Sequence, residues 1–454
     1  MHNRNGQIII GIVTLFSCLV VVLFFVLFRL PVQNSFFIIL GCVIFVIAFV
    51  NTDLALVILI FSMLLSPELN VGGIPGRAVV IRVDDIFLFV VFLGWLAKMA
   101  VNKELGLFRA TPINRPIIAY ISICLVATFL GIIRGDTNIR HAFFYLLKYI
   151  EYFLLFFMVV NNLRTRKQAK VFVFFILLAC FLVCLYAWWQ IPAGGRVSAP
   201  FEGRSGEPNT FAGYLLLMMG ITLGIFIYIR SAGLRFLLGG FFIFISIPFL
   251  YTLSRGGWLG FLPMYLAFLI LSRRGKGFLL LLLISVLVLA PFIFPKAVTS
   301  RARATFTPGK TYAVLGREIT IDESGAARIA SLESSLKKWS KRPILGYGVP
   351  GGGSVSDVQY GRILREIGVV GFLAFIWLMV ILFKTAWRSF TCVRVDDFGR
   401  GLSLGLNCAL VGLLVMGVAA EVFIIVRIME PFWFLAAIVV VLPEISPSVK
   451  ETNG

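Results

Sequence analysis

The chain has 454 residues, of which 60% are hydrophobic and only 14% charged, and its mean hydropathy is +0.99. A soluble globular chain carries about 25% charged residues, so this composition excludes an ordinary soluble domain and calls for several membrane-spanning segments. The net charge of +20 does not point to nucleic acid, because the basic residues are not gathered on a soluble module interleaved with stacking aromatics; they fall in short loops between apolar runs.

In chain order, apolar runs suited to crossing ~30 Å of hydrocarbon lie near 7–28, 35–50, 53–67, 84–101, 115–133, 139–161, 169–191, 209–229, 235–252, 256–272, 277–295, 363–386, 402–426 and 430–446. The expected fold is all-α: a polytopic transmembrane helical bundle of about 12–14 spans with one large extracytoplasmic loop containing short helices. Residues 1–295 form about eleven of these helices, 296–362 the loop, 363–446 the C-terminal helices and 447–454 a cytoplasmic tail. The first run follows Arg4 but is too long for a signal-peptide core and lacks a small-residue cleavage site, so it reads as a retained anchor. The cysteines lie mostly within spans and show neither metal-ligand spacing nor a disulfide framework.

Basic residues cluster in alternate loops: Lys98, Lys103, Arg109 and Arg115; Arg164, Arg166, Lys167 and Lys170; Arg230 and Arg235; Arg273, Arg274 and Lys276; Lys384, Arg388, Arg394 and Arg400. The positive-inside rule places these loops and both termini in the cytoplasm, giving a multi-pass protein of the cytoplasmic (inner) membrane. Weak attraction to anionic lipid is a secondary reading of the same charge.

The short loops on the other side carry arginine rather than lysine: Arg77, Arg82, Arg134, Arg140, Arg196, Arg204, Arg255 and Arg427. A guanidinium grips phosphate bidentately where an ammonium is a hydrated point charge, so a one-sided arginine set suggests anion binding. The opposing reading is that an individual arginine snorkels to headgroups or pairs with an acid such as Asp85 or Glu430.

The long insertion is large enough for a lid or binding loop. Within it Ile329, Leu332, Leu336 and Trp339 recur at helical spacing, giving an amphipathic helix over 326–339 that ends before Pro343; it either rests on the membrane surface or helps to hold a lipid-linked substrate. A glycine-rich stretch, 346–353, follows. It lacks the Gly-Lys-Ser/Thr of a phosphate-binding loop.

Three motifs carry a family resemblance: Gly203-Arg204-Ser205-Gly206-Glu207-Pro208-Asn209-Thr210, Ser254-Arg255-Gly256-Gly257-Trp258, and Pro343-Ile344-Leu345-Gly346-Tyr347-Gly348 followed by Glu366, Gly368 and Gly371. In order and position relative to the spans they resemble the O-antigen ligase and polymerase superfamily, the Wzy and WaaL type of membrane glycosyltransferase. Where ligases of that superfamily share a His-Asn pair, this chain has Asp357-Val358. The departure favours a polymerase-like member.

What the resemblance implies is transfer of a polyprenyl-pyrophosphate-linked glycan onto a lipid-linked repeat unit, outside the inner leaflet, with no metal, nucleotide or other cofactor. The partners implied are that lipid-linked oligosaccharide, the bilayer, and a chain-length regulator and flippase. Such a reaction needs cations at the departing pyrophosphate and a base for the acceptor hydroxyl. Arg204 and Arg255, within the motifs, are the leading catalytic cations. Arg134, Arg140, Arg427, Glu207, Asn209, Tyr360 and Glu366 are expected to bind pyrophosphate or glycan. Asp357 is the expected base, with Glu366, Glu207 and Glu202 as rivals.

Lys148 and Glu151 fall inside a span, where ionisable groups are costly; they read as a structural pair or as cavity lining. Two further readings stay open: ligase-type transfer to another acceptor, and a lipid-linked oligosaccharide flippase. A flippase would be expected to show internal repeats and charges spread through its spans, and neither is visible.

Overall fold

The computed structural model describes residues 32–74, 77–103, 108–200, 202, 206–293, 295–303, 311–314, 317–320, 323–353 and 358–445. The expected first span at 7–28 and the tail at 447–454 lie outside the described residues. Among the described residues there are fifteen α-helices, and two antiparallel two-stranded hairpins lie between helices. Eight helices are long and apolar enough to cross a membrane, and four shorter apolar ones accompany them among the described residues. The protein is a multi-pass helical membrane protein.

Helices α1 (Val32–Val50) and α2 (Thr52–Leu65) are joined at Asn51, whose side chain accepts from the Leu54 N–H and caps α2. With 14 residues, α2 rises only about 21 Å. The hairpin β1 (Glu68–Ile74) and β2 (Arg77–Arg82), unforeseen in the sequence, leads into α3 (Val83–Val101). Next come α4 (Asn114–Ile133), α5 (Ile139–Asn162), α6 (Arg166–Gln190), α7 (Pro208–Tyr228), α8 (Ala232–Tyr251), α9 (Arg255–Leu271) and α10 (Lys276–Ile293). All of these follow the hydropathy pattern within a few residues.

The insertion holds α11 (Lys296–Arg303), the hairpin β3 (Thr311–Val314) and β4 (Arg317–Thr320), and α12 (Glu323–Trp339). The amphipathic helix is therefore present, and it packs against α13 (Gln359–Thr391): Leu332 and Ser335 meet Gly361, and Ser335 is buried. The last two helices are α14 (Asp397–Met416) and α15 (Val426–Val441). The expected single span over 402–426 is corrected here, since helix stops at Met416 and 417–425 is irregular. Irregular backbone at membrane depth is tolerated where protein covers it. The cover is the wholly buried Gln359 side chain, whose Oε1 accepts from the N–H groups of Val422 and Phe423 at 2.9 Å each.

The core is set by the contact between α7 and α14. Gly220 and Gly224 on one helix face Gly405 and Gly401 on the other, and a Cβ at Gly224 or Gly405 would run into the facing backbone. Small residues spaced by four let helix backbones approach closely, which replaces the hydrophobic drive that lipid does not supply. Gly260 of α9 meets Gly412 of α14 in the same way. Accordingly α7 and α15 are almost entirely buried and α8 is largely lipid-exposed.

A Gly224→Leu protein is expected to lose this contact and to melt well below the parent in detergent. Gly233→Leu, at a position with nothing within 4 Å, should melt as the parent does; equal melting of all three would show that the glycine contact does not hold the core.

Candidate functional site

The loops sort into two sets at opposite ends of the bundle. At one end the 134–138 turn, the 342–353 segment, the 196–209 segment and the 417–425 segment bond to one another or to adjoining helix ends. At the other, Arg109 reaches Glu444, Lys170 reaches Asp396, and Arg230 and Arg274 both reach Asp397. The described residues of the three family-like motifs lie at the first end.

The proline- and glycine-rich motif is explained by a broken helix. Gly368 has φ of +66° and interrupts α13, a conformation that L side chains avoid. The freed carbonyls of Arg365 and Glu366 accept from the N–H groups of Tyr347 and Gly348 at 3.0 and 2.8 Å, while Val369 and Val370 donate to the carbonyls of Pro343 and Ile344. The 343–348 segment is thus stitched into the gap. A Cβ on Gly368 would collide with the Ile344 carbonyl. On its far side the segment docks on α4, where Val349 N–H donates to Thr128 Oγ1 and Thr137 Oγ1 donates to the Tyr347 carbonyl. Lys338 donates to the Gly352 carbonyl, and its ammonium is pushed below its ordinary range by burial and then by the nearby Arg365 guanidinium. Arg342 pairs with Asp136 and stacks over Tyr347.

Behind this break lies a buried ion network. Arg362 donates to Glu366 Oε1 at 2.8 Å and to Glu421 Oε1 at 2.8 Å, and its guanidinium lies over the Tyr145 ring. Both Arg362 and Glu366 are at most 3% exposed. Glu366, an expected ligand-binding residue, is therefore held as the partner of Arg362. The i,i+4 spacing of the two is the sequence signal for this pair. Tyr360, likewise expected to meet substrate, donates its hydroxyl to the Leu414 carbonyl.

A second buried network surrounds the end of the β1–β2 hairpin. Arg82 lies 3.0 Å from Asp84, 3.5 Å from Asp85 and 4.0 Å from Glu430, and Ser66 donates to Asp84 at 2.6 Å. Glu151 sits within electrostatic reach of Arg82, Asp85, Glu430 and Lys148, so it belongs to this wider group. Arg427, expected at the ligand, is 3% exposed: it donates to the carbonyls of Leu64 and Pro200 and lies 4.0 Å from Glu202. Glu202 also accepts from the Glu207 N–H. Arg82 and Arg427 fit the reading in which an arginine pairs with buried acids.

A third group of arginines is built differently. Arg196 donates from Nε to the Thr252 carbonyl at 2.9 Å and from its terminal nitrogen to Asn209 Oδ1 at 2.9 Å. The same Asn209 oxygen accepts from Ser254 Oγ at 2.8 Å. Ser254 caps α9 by accepting from Gly257 N–H, and Arg255 is the first residue of that helix. Asn209 therefore ties the first motif to the second and sets the N-termini of α7 and α9 side by side. Helix N-termini favour anions. Glu207, at the cap of α7, accepts from Thr210 Oγ1 at 2.9 Å and is exposed.

Two arginines from the insertion join this group. The Arg196 guanidinium is pushed below its ordinary range first by the protein crowded around it, although its outer surface is open, and then by repulsion from Arg301, Arg328 and Arg255. Arg301 Nε is buried without a hydrogen-bond partner among the described residues. Neither Arg301 nor Arg328 stands out in the sequence, because it is the tertiary fold that brings them within electrostatic reach of Arg196. Arg134 and Arg140 are exposed at the ends of α4 and α5, apart from these contacts. Arg204 and Asp357 lie outside the described residues.

No family model matches this sequence, and no curated protein matches it significantly.

Removing one partner from a buried, hydrogen-bonded charge network leaves an uncompensated charge and costs about 3–5 kcal/mol. Arg362→Gln is accordingly expected to destabilise the protein by about that amount, measured by thermal or denaturant melts in detergent, and adding Glu366→Gln should recover part of the loss. A single Arg362→Gln protein that melts like the parent would show that this network does not secure the break in α13.

Proposed function

We propose that the protein is a membrane glycosyltransferase that polymerises a polysaccharide, transferring a polyprenyl-pyrophosphate-linked glycan onto a lipid-linked repeat unit. The observation that supports this reading is Arg196, held by Asn209 and the Thr252 carbonyl beside the N-termini of α7 and α9, with Arg255, Arg301 and Arg328 within electrostatic reach of it. Arg196 is fixed by neutral partners, an amide and a carbonyl, which hold its side chain in place and leave its charge uncancelled. A guanidinium held in this way presents a fork that matches the oxygens of a pyrophosphate. The positive-inside rule puts the opposite end of the bundle in the cytoplasm. The arginine group then faces outward, where no nucleotide sugar is present and a lipid-linked donor serves.

In the proposed step the acceptor hydroxyl attacks the anomeric carbon of the donor sugar. The bond from that carbon to the pyrophosphate oxygen breaks, and the charge that develops on the leaving oxygen falls to the arginine group. Preorganised charge of this kind is commonly the largest catalytic contribution. Asp357, between the glycine-rich segment and α13 in the chain, is the proposed acceptor of the hydroxyl proton. Arg204, in the first motif, is the proposed further cation. Glu207 is a proposed sugar contact, and Asn209, which accepts from Arg196, is proposed to position that guanidinium or to contact sugar.

Purified protein in liposomes, given lipid-linked repeat units, is expected to produce a ladder of lengthening glycans. Arg255→Gln and Arg328→Gln should each lower the rate by about 10²–10³, as loss of one charge-stabilising group does, and Asp357→Asn should also stop extension. Movement of the lipid across the membrane without joining would exclude the enzyme reading, and undiminished polymerisation by Asp357→Asn would remove the base.

A further inference from the structure

The opposite end of the bundle holds a second concentration of cations that the proposed transfer does not use. A cleft of about 490 Å³ opens at the start of α6, lined by Arg109, Arg164, Thr165, Arg166, Lys167 and Glu444 among others. Cations outnumber carboxylates there four to one. The single acid is already taken, since Glu444 receives both Nε and a terminal nitrogen of Arg109 at 2.8 Å. Arg109 also donates to the Leu163 carbonyl, which fixes one wall. Arg166 is 6% exposed and donates to the carbonyls of Arg394 and Ile445, which fixes the floor.

Arg164 and Lys167 stand at the mouth, exposed and with no salt-bridge partner among the described residues. The N-terminus of α6 opens into the same space, capped by Thr165, which accepts from the Gln168 N–H at 3.2 Å. Two immobilised guanidiniums, two free cations and a helix N-terminus around one concavity describe a receptor for an oxyanion. Its place where a span begins is the depth of lipid headgroups, where basic pockets between helices take anionic lipids.

We propose that this cleft is a binding site for a phosphate group, presented either by an anionic lipid headgroup or by a phosphorylated solute. Arg109 and Arg166 shape the site, and Arg164 and Lys167 supply the charge that captures the ligand.

The test uses the full-length protein in nanodiscs of phosphatidylcholine, with melting followed by tryptophan fluorescence. In one arm part of the lipid is replaced by phosphatidylglycerol; in the other, inorganic phosphate is titrated against chloride at matched ionic strength. A ligand that binds only the folded state raises the melting temperature. The parent should gain such a rise in one arm, the Arg164→Gln/Lys167→Gln protein should lose it, and Arg235→Gln, in another basic loop at the same end, should keep it. A rise with phosphatidylglycerol alone identifies the lipid, and a rise with inorganic phosphate identifies the solute. No rise in either arm, a rise that survives in the double variant, or an equal loss in Arg235→Gln would overturn the proposal.

Discussion

Hydrocarbon offers no hydrogen bonds, so every backbone group freed by a break in a spanning helix must find its partner inside the protein. The break at Gly368 is where this chain meets that constraint. Two carbonyls and two N–H groups of α13 are released, and the 343–348 segment supplies partners to all four. The insertion is thereby anchored at its C-terminal end, Lys338 and Tyr347 are brought against α4 and α13, and Arg362 is held where it can bind both Glu366 and Glu421. Substituting the glycine would place a side chain on the Ile344 carbonyl and undo the whole arrangement.

Charge inside the bundle follows the same logic with different outcomes. Arg362 has two carboxylates in direct contact and Arg82 has three around it, so both are consumed by structure. Arg427 is likewise enclosed by carbonyls and Glu202. The group around Arg196 differs because its anchoring partners are neutral. That contrast sets Arg196 apart from the enclosed Arg82, Arg362 and Arg427, and it favours the neighbourhood of Arg196 over Arg427 for the proposed anion.

Much of the fold was legible from hydropathy, since α4 to α7 need only a long apolar run to be found, and the tight pairs α1/α2 and α8/α9 are separated by a cap or a turn that the run lengths betray. The irregular 417–425 segment was not legible, because the N–H groups of Val422 and Phe423 are satisfied by Gln359, which is remote in sequence. The short hairpins carry no hydropathy signal at all. In the candidate site, Arg255 and Asn209 could be picked from their motifs. Their junction through Ser254, and the arrival of Arg301 and Arg328, depend on tertiary packing. Conversely Glu366 looked available because its motif was read without its partner one turn earlier.

The central claim is that the arginine group holds a pyrophosphate. Its most direct measurement is the affinity of purified protein in nanodiscs for a polyprenyl pyrophosphate compared with the corresponding monophosphate. The account predicts a clear preference for the pyrophosphate, lost when Arg196, Arg255, Arg301 and Arg328 are changed together to Gln and kept when the exposed Arg134 and Arg140 are changed. Equal affinity for the two lipids, or binding that survives the fourfold change, would contradict it.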